Sequence, residues 1–250
     1  MKTNYDLQNI VLDHVFSCNN SFYLTGGTAL NRFYIPTRIS EDLDFFTSEI
    51  LLFYEFYNEI VESLSKILYV KNIVQERDFH RILVSKEDTK LQVDFVNDRV
   101  YRYDKSKLYK NMRLDNLVDI LSNKLTVILN REDSKDIIDI ISICKNYFFK
   151  WENLFDIANK KQPISTSHVI NKINEFPLNL LEQIKWISQE VKIEITSSIK
   201  DDLAQICADM MILTDNSLGE SKHSLFEAIP NLSEIEPDQL QEDDRPCPSG

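Results

Sequence analysis

Glycine is scarce in this sequence: four in 250 residues, with two of the four adjacent at Gly26-Gly27. The four cysteines, Cys18, Cys144, Cys207 and Cys247, are scattered without a Cys-x-x-Cys pair. That spacing excludes the usual zinc and disulfide frameworks, and buried free thiols are expected. His14, His80, His168 and His223 are equally dispersed and form no metal or nucleophile constellation. No run approaches the roughly 20 consecutive apolar residues of a membrane span. The polar start, Met1 to Asn9, lacks the basic-then-apolar layout of a secretory signal. A cytoplasmic protein with no membrane partner is the resulting expectation. Positive charge is also lacking, since 28 Lys and Arg against 40 Asp and Glu give a net charge of −12. This argues against a surface coated with cations for duplex binding.

At 43% hydrophobic and 27% charged, the composition suits one large globular domain or two modest ones. One stretch reverses the net charge. From Arg99 to Arg113, six basic residues face one acid, Asp104, with three tyrosines interleaved. Such a stretch either holds phosphates and stacks bases or is a solvated face. The C-terminal segment 231–250 is acidic and proline-bearing, and reads as a disordered tail.

The first half alternates strand-like and helix-like patterns. Ser21–Thr25 reads as a short buried strand ending at the glycine pair, followed by a helix from Thr28 to about Tyr34 that Pro36 stops. Leu43–Phe46 is a second strand. Residues 51–68 carry apolar side chains in steps of three and four, a longer helix. Strands near 81–84 and 91–96, joined by a polar turn, suggest a hairpin. Beyond Asp115 the pattern is helical to about Phe226, with helices over 114–129 and 137–143 and breaks at Pro163 and Pro177. The expected fold is α+β: a mixed sheet flanked by helices over residues 1–110, then a helical domain over 111–230 that completes the active site.

Adjacent glycines between a strand and a helix let the backbone take φ > 0 and approach a ligand closely. The helix N-terminus then offers unpaired N–H groups and partial positive charge, suited to a phosphate. Thr28 either caps that helix or bonds a phosphate oxygen. Asp42 and Asp44 lie two apart in a strand, so they project to one face while Leu43 and Phe45 take the other. Two such carboxylates resist ionising together unless a cation lies between them. Mg²⁺, which prefers oxygen ligands, is the natural one, whereas an exposed edge strand accounts for the pair without any metal. Asp94, in a strand with apolar neighbours, adds a third carboxylate. A phosphate-binding turn plus three strand carboxylates for one or two ions is equipment for phosphoryl or nucleotidyl transfer.

Gly26-Gly27-Thr28, Arg38-x-Ser40-x-Asp42-x-Asp44-Phe45 and Val93-Asp94-Phe95 together resemble the nucleotidyltransferase superfamily. Within it they are most similar to the AbiEii-type toxins of bacterial abortive-infection and toxin–antitoxin systems, which include the MenT toxins. The resemblance runs from about Phe22 to Ile141 and takes in Lys124, Arg131 and the Lys135-Asp136-x-x-Asp139 segment. Lys124 sits on the apolar stripe of its helix and needs an anionic partner. A triphosphate would serve, and so would an internal salt-bridge cluster with Asp136 and Asp139. The resemblance implies a Mg²⁺-dependent nucleotidyltransferase acting in phage defence. Asp42, Asp44 and Asp94 would hold metal, and Lys124 would act catalytically. A nucleoside triphosphate would bind at Gly26, Gly27, Thr28, Arg38, Ser40, Lys124, Arg131 and Asp136. The implied acceptor is the tRNA 3′ end, and a cognate antitoxin the implied partner. Transfer to a small hydroxyl compound or a protein side chain remains open at this stage, as does a non-enzymatic nucleotide-binding partner protein.

Overall fold

The computed structural model describes residues 4–231; the acidic segment from 232 onward, including Cys247, lies outside the described residues. The chain runs α1 (Tyr5–Ser17), β1 (Tyr23–Thr25), α2 (Gly26–Phe33), β2 (Leu43–Thr47), α3 (Phe53–Ser65) and β3 (Tyr69–Gln75). Then come β4 (Phe79–Lys86), β5 (Thr89–Asn97), β6 (Lys107–Tyr109) and β7 (Met112–Leu114). Helices α4 (Leu117–Val127), α5 (Ser134–Asn146), α6 (Trp151–Lys161), α7 (Thr166–Asn174) and α8 (Gln189–Met211) complete it.

The strands form one seven-stranded mixed sheet in the order β3-β4-β5-β2-β1-β7-β6. β2 pairs with β1 antiparallel and with β5 parallel, which puts Asp44 level with Asp94 and Thr25 level with Asp44. The pleat sends alternate residues to opposite faces. On one face Leu43, Phe45, Val93, Phe95, Ile82 and Val84 are buried. Phe45 stacks on Phe95 with centroids 5.5 Å apart and meets Phe16 of α1 edge-on; Phe22 meets Phe53 of α3. Each such side chain contributes roughly 1.5–3 kcal/mol on burial. This apolar layer under α1 and α3 fixes the register, since a one-residue slip of β2 would bring Asp44 inside and Phe45 out. The opposite face therefore carries the polar residues, and it is the face of the cleft.

Helices α4 and α5 pack against α2 and against α6 and α8 respectively, burying Leu121, Leu125, Ile138 and Ile141. Segment 178–187 is fastened to the loop before β2, where Ile39 N donates to Lys185 O at 2.7 Å and Ile187 N to Thr37 O. The α+β architecture agrees with the sequence reading, and the predicted hairpin forms as β4–β5. Three elements were not legible. Helix α1 contains a segment that reads only as core. Strand β3 is an edge strand exposed over most of its length, with no hydrophobic alternation to betray it. The β6–β7 hairpin occupies the basic stretch and straddles residue 110, so the sheet continues to Leu114, past the expected domain boundary. Among the described residues no helix is long and apolar enough to cross a membrane, and Cys18, Cys144 and Cys207 are free.

Candidate active site

A cleft of about 450 Å³ opens above the polar face of the sheet, between the start of α2 and helices α4 and α5. Gly26, Gly27, Arg38, Ser40, Asp42, Asp44, Asp94, Lys124, Arg131 and Asp136 all line it. Of the residues expected to bind nucleotide or metal, only Thr28 is missing from its lining. Helix α2 starts two residues earlier than its pattern suggested, at Gly26, with Thr25 as its N-cap. That shift points the Thr28 hydroxyl inward, where it donates to Ser40 Oγ at 2.8 Å and also meets the Asp42 carbonyl. Thr28 braces the Ser40–Asp42 loop and is fully buried.

Both glycines are required by space, and Gly26 by its backbone angle as well. Gly26 has φ +68°, and a Cβ there would lie 2.7 Å from Asp44 Oδ2. A Cβ on Gly27 would lie 2.5 Å from Arg38 Nη2 and 3.0 Å from Ser40 Oγ. The first turn of α2 contains no acid and no capping side chain, so its N–H groups remain available at the cleft.

The carboxylates at the floor are electrostatically stressed. Burial, reinforced by the charges of Asp94 and then Asp42, pushes the Asp44 carboxyl up to about 6. Burial also raises Asp42, with Asp94 adding to the effect against Lys135. Oxygen donors under mutual repulsion are the donor set a hard divalent cation relieves. Among the described residues no three His, Cys, Asp or Glu side chains converge tightly enough to hold an ion unaided. Mg²⁺ takes one or two carboxylates and completes its shell with water and substrate phosphates. The residues present fit the metal on those terms.

Asp94 has a partner the sequence reading did not identify. Arg81 lies directly across from it in the β4–β5 register and grips both its oxygens, each at 2.7 Å. The predicted hairpin contained the signal, because aligning 81–84 with 91–96 places the two residues side by side.

The cations on the helical side are organised by two buried aspartates of α5. Arg38 forks onto Asp139 through Nε at 2.9 Å and Nη2 at 2.7 Å, both residues almost fully buried. Lys124 Nζ lies 2.7 Å from both Asp136 and Asp139. Arg131 reaches Asp136 through Nε at 2.8 Å and Nη2 at 3.0 Å. Burial alone would raise Asp139, but Arg38 and Lys124 overcome it and hold the carboxyl at about 2. Burial would likewise lower Lys124, and Asp139 and Asp136 more than compensate, so it stays firmly charged. Asp136 and Asp139 thus position the cations that face the cleft.

The basic stretch is less available than its composition suggests. Arg99 pairs with Asp78, Arg102 with Asp115, and Lys107 with Asp104; Arg113 donates to Phe22 O. Lys105 and Lys110 remain without an ion-pair partner among the described residues.

Comparison with known proteins fits this geometry. Two Helicobacter pylori crystal structures, one of a protein assigned as a nucleotidyltransferase and one of JHP933, each match with a TM-score of 0.55 at 16% identity. Both matches cover 84% of this chain, and 92% and 90% of the respective H. pylori chains, so they share its fold. MenT4, a nucleotidyltransferase toxin of Mycobacterium tuberculosis, matches at a TM-score of 0.42 and 13% identity over 72% of this chain and 66% of its own, too distant to carry weight. No curated protein matches the chain. Residues 11–228, however, match the family of nucleotidyl transferase AbiEii toxins of type IV toxin–antitoxin systems. With its glycine turn and strand aspartates on one cleft, the chain belongs to this family of nucleotidyltransferase toxins.

Proposed function

We propose that this enzyme transfers a nucleoside monophosphate from a triphosphate to the 3′ end of tRNA, in a Mg²⁺-dependent reaction that disables translation. The observation that carries the transfer chemistry is the parallel register of Asp44 with Asp94 beneath the Gly26 turn, with Asp42 two residues upstream. Asp42 and Asp44 would hold the metal, with Asp94 available to a second ion; when bound, Mg²⁺ neutralises the triphosphate and makes the α-phosphorus electrophilic.

The chain's own groups account for the rest. The N–H groups of Gly26 and Gly27 bind phosphate oxygens at the start of α2. Arg131 and Lys124, steadied by Asp136 and Asp139, stabilise the charge that accumulates on the departing pyrophosphate. Arg38, with its guanidinium held on Asp139, fixes the wall beside Gly27. The acceptor hydroxyl oxygen forms a bond to the α-phosphorus as the bond to the β-phosphate oxygen breaks. Asp94 takes the hydroxyl proton. As a family trait, a cognate antitoxin limits the toxin's action.

A second reading is transfer to a cationic hydroxyl compound or a protein side chain. It draws support from the seven carboxylates against five cations lining the cleft, and from the internal pairing of the basic stretch. Pyrophosphate release separates the two. With each of the four nucleoside triphosphates and Mg²⁺, release that rises on adding total tRNA supports the tRNA reading. Release that tRNA leaves unchanged, but that aminoglycosides or a cell protein fraction stimulate, supports the second reading.

A further inference from the structure

The Arg81–Asp94 pair governs more than the shape of the cleft. Both Asp94 oxygens are occupied by one planar guanidinium, and Gln92 Nε2 lies 3.5 Å from Oδ2 as well. Asp42 and Asp44 differ: among the described residues neither side chain has an ion-pair partner. The bidentate fork takes one lone pair on each oxygen, the pair a chelated ion would use, and its positive charge repels an ion approaching the same carboxylate. The Arg81 side chain is 35% exposed and that of Asp94 only 9%, so the arginine is the member with room to leave.

We infer that Arg81 withholds Asp94 from metal in the nucleotide-free enzyme. One divalent cation then binds at rest through Asp42 and Asp44, and a second is admitted at Asp94 only when a triphosphate draws the guanidinium away. The inference rests on the metal reading above and adds an order of assembly to it. A triphosphate supplies what the exchange requires, an anion for a guanidinium that matches phosphate in a two-pronged geometry. Arg81 is thus a positioning residue, and Asp94 becomes free to take the acceptor's proton only in the presence of nucleotide.

Mn²⁺ binding to the full-length chain, read by electron paramagnetic resonance of the free ion, tests this without measuring turnover. The wild type is expected to bind one Mn²⁺ per chain alone, and two in the presence of α,β-methylene analogues of the nucleoside triphosphates. Arg81→Gln is expected to bind two without nucleotide, its second site tighter than that of the wild type by roughly tenfold or more. Adding Asp94→Asn to that variant should return it to one. Arg81→Lys, which keeps the charge and loses the fork, should fall between. Two ions on the nucleotide-free wild type, or one on Arg81→Gln, overturn the inference while leaving metal at Asp42 and Asp44 intact. No bound Mn²⁺ in either protein removes the metal reading itself and this inference with it.

Discussion

Replacing Gly26 by alanine isolates the contribution of one hydrogen-for-methyl change to catalysis. The backbone at Gly26 sits at φ +68°, where a residue with a Cβ pays about 1–2 kcal/mol. The added methyl would also lie 2.7 Å from Asp44 Oδ2, so the carboxylate must retreat by several tenths of an ångström. The stability loss of about 1–2 kcal/mol predicts a melting temperature lower by roughly 2–8 °C for a chain of this size, read by far-ultraviolet circular dichroism. The rate should suffer more. Displacing the carboxylate proposed to hold the metal by up to 1 Å costs on the order of 10²-fold. Initial rates of pyrophosphate release at saturating triphosphate report it. A Gly26→Ala protein that melts lower and retains the wild-type rate would refute the claim that this glycine exists to admit Asp44. A protein with an unchanged melting temperature would refute the strain argument.

Three further outcomes follow from the buried ion cluster and the glycine turn. Asp139→Asn leaves Arg38 and Lys124 without their shared counter-ion in a buried site, and should cost about 3–5 kcal/mol in urea unfolding. The Asp139 carboxyl is held at about 2, below its unfolded value. Its contribution of about 2 kcal/mol is therefore present above pH ~4 and lost as pH falls toward 2, so the stability gap between wild type and Asp139→Asn should narrow over that window and stay constant above it. Gly27→Ala, whose methyl would strike the Arg38 guanidinium and Ser40 Oγ, should weaken triphosphate binding in a fluorescent-nucleotide titration by about tenfold through the displaced Arg38.

Much of the site was legible because its chemistry is written in local spacing. Asp42-x-Asp44 needs only the two-residue period of a strand to place both carboxylates together, and Gly26-Gly27 needs only its position between a strand and a helix. What escaped the sequence depends on pairing between distant segments or on the absence of pattern. Arg81 meets Asp94 only through the exact alignment of β4 on β5. The engagement of Lys124 and Arg131 by Asp136 and Asp139 was foreseen as one of two alternatives, between which spacing alone could not choose; the fork of Arg38 onto Asp139, 101 residues away, was not foreseen. Thr28 was misdirected by a helix start two residues early, enough to rotate its hydroxyl from the cleft to the interior. Strand β3 lacks alternation because neither of its faces is fully covered, and Arg99 and Arg102 look free in sequence because their partners, Asp78 and Asp115, lie outside the 99–113 stretch.

The central claim, nucleotidyl transfer that depends on the Asp42 and Asp44 carboxylates, is tested most directly by label. Purified protein, Mg²⁺ and total bacterial tRNA are incubated with each α-³²P nucleoside triphosphate, beside Asp42→Asn and Asp44→Asn proteins of wild-type melting behaviour. The account predicts label at the tRNA 3′ end with the wild type, and loss of at least about 10³-fold in either variant. Label appearing in tRNA equally with both variants would contradict it.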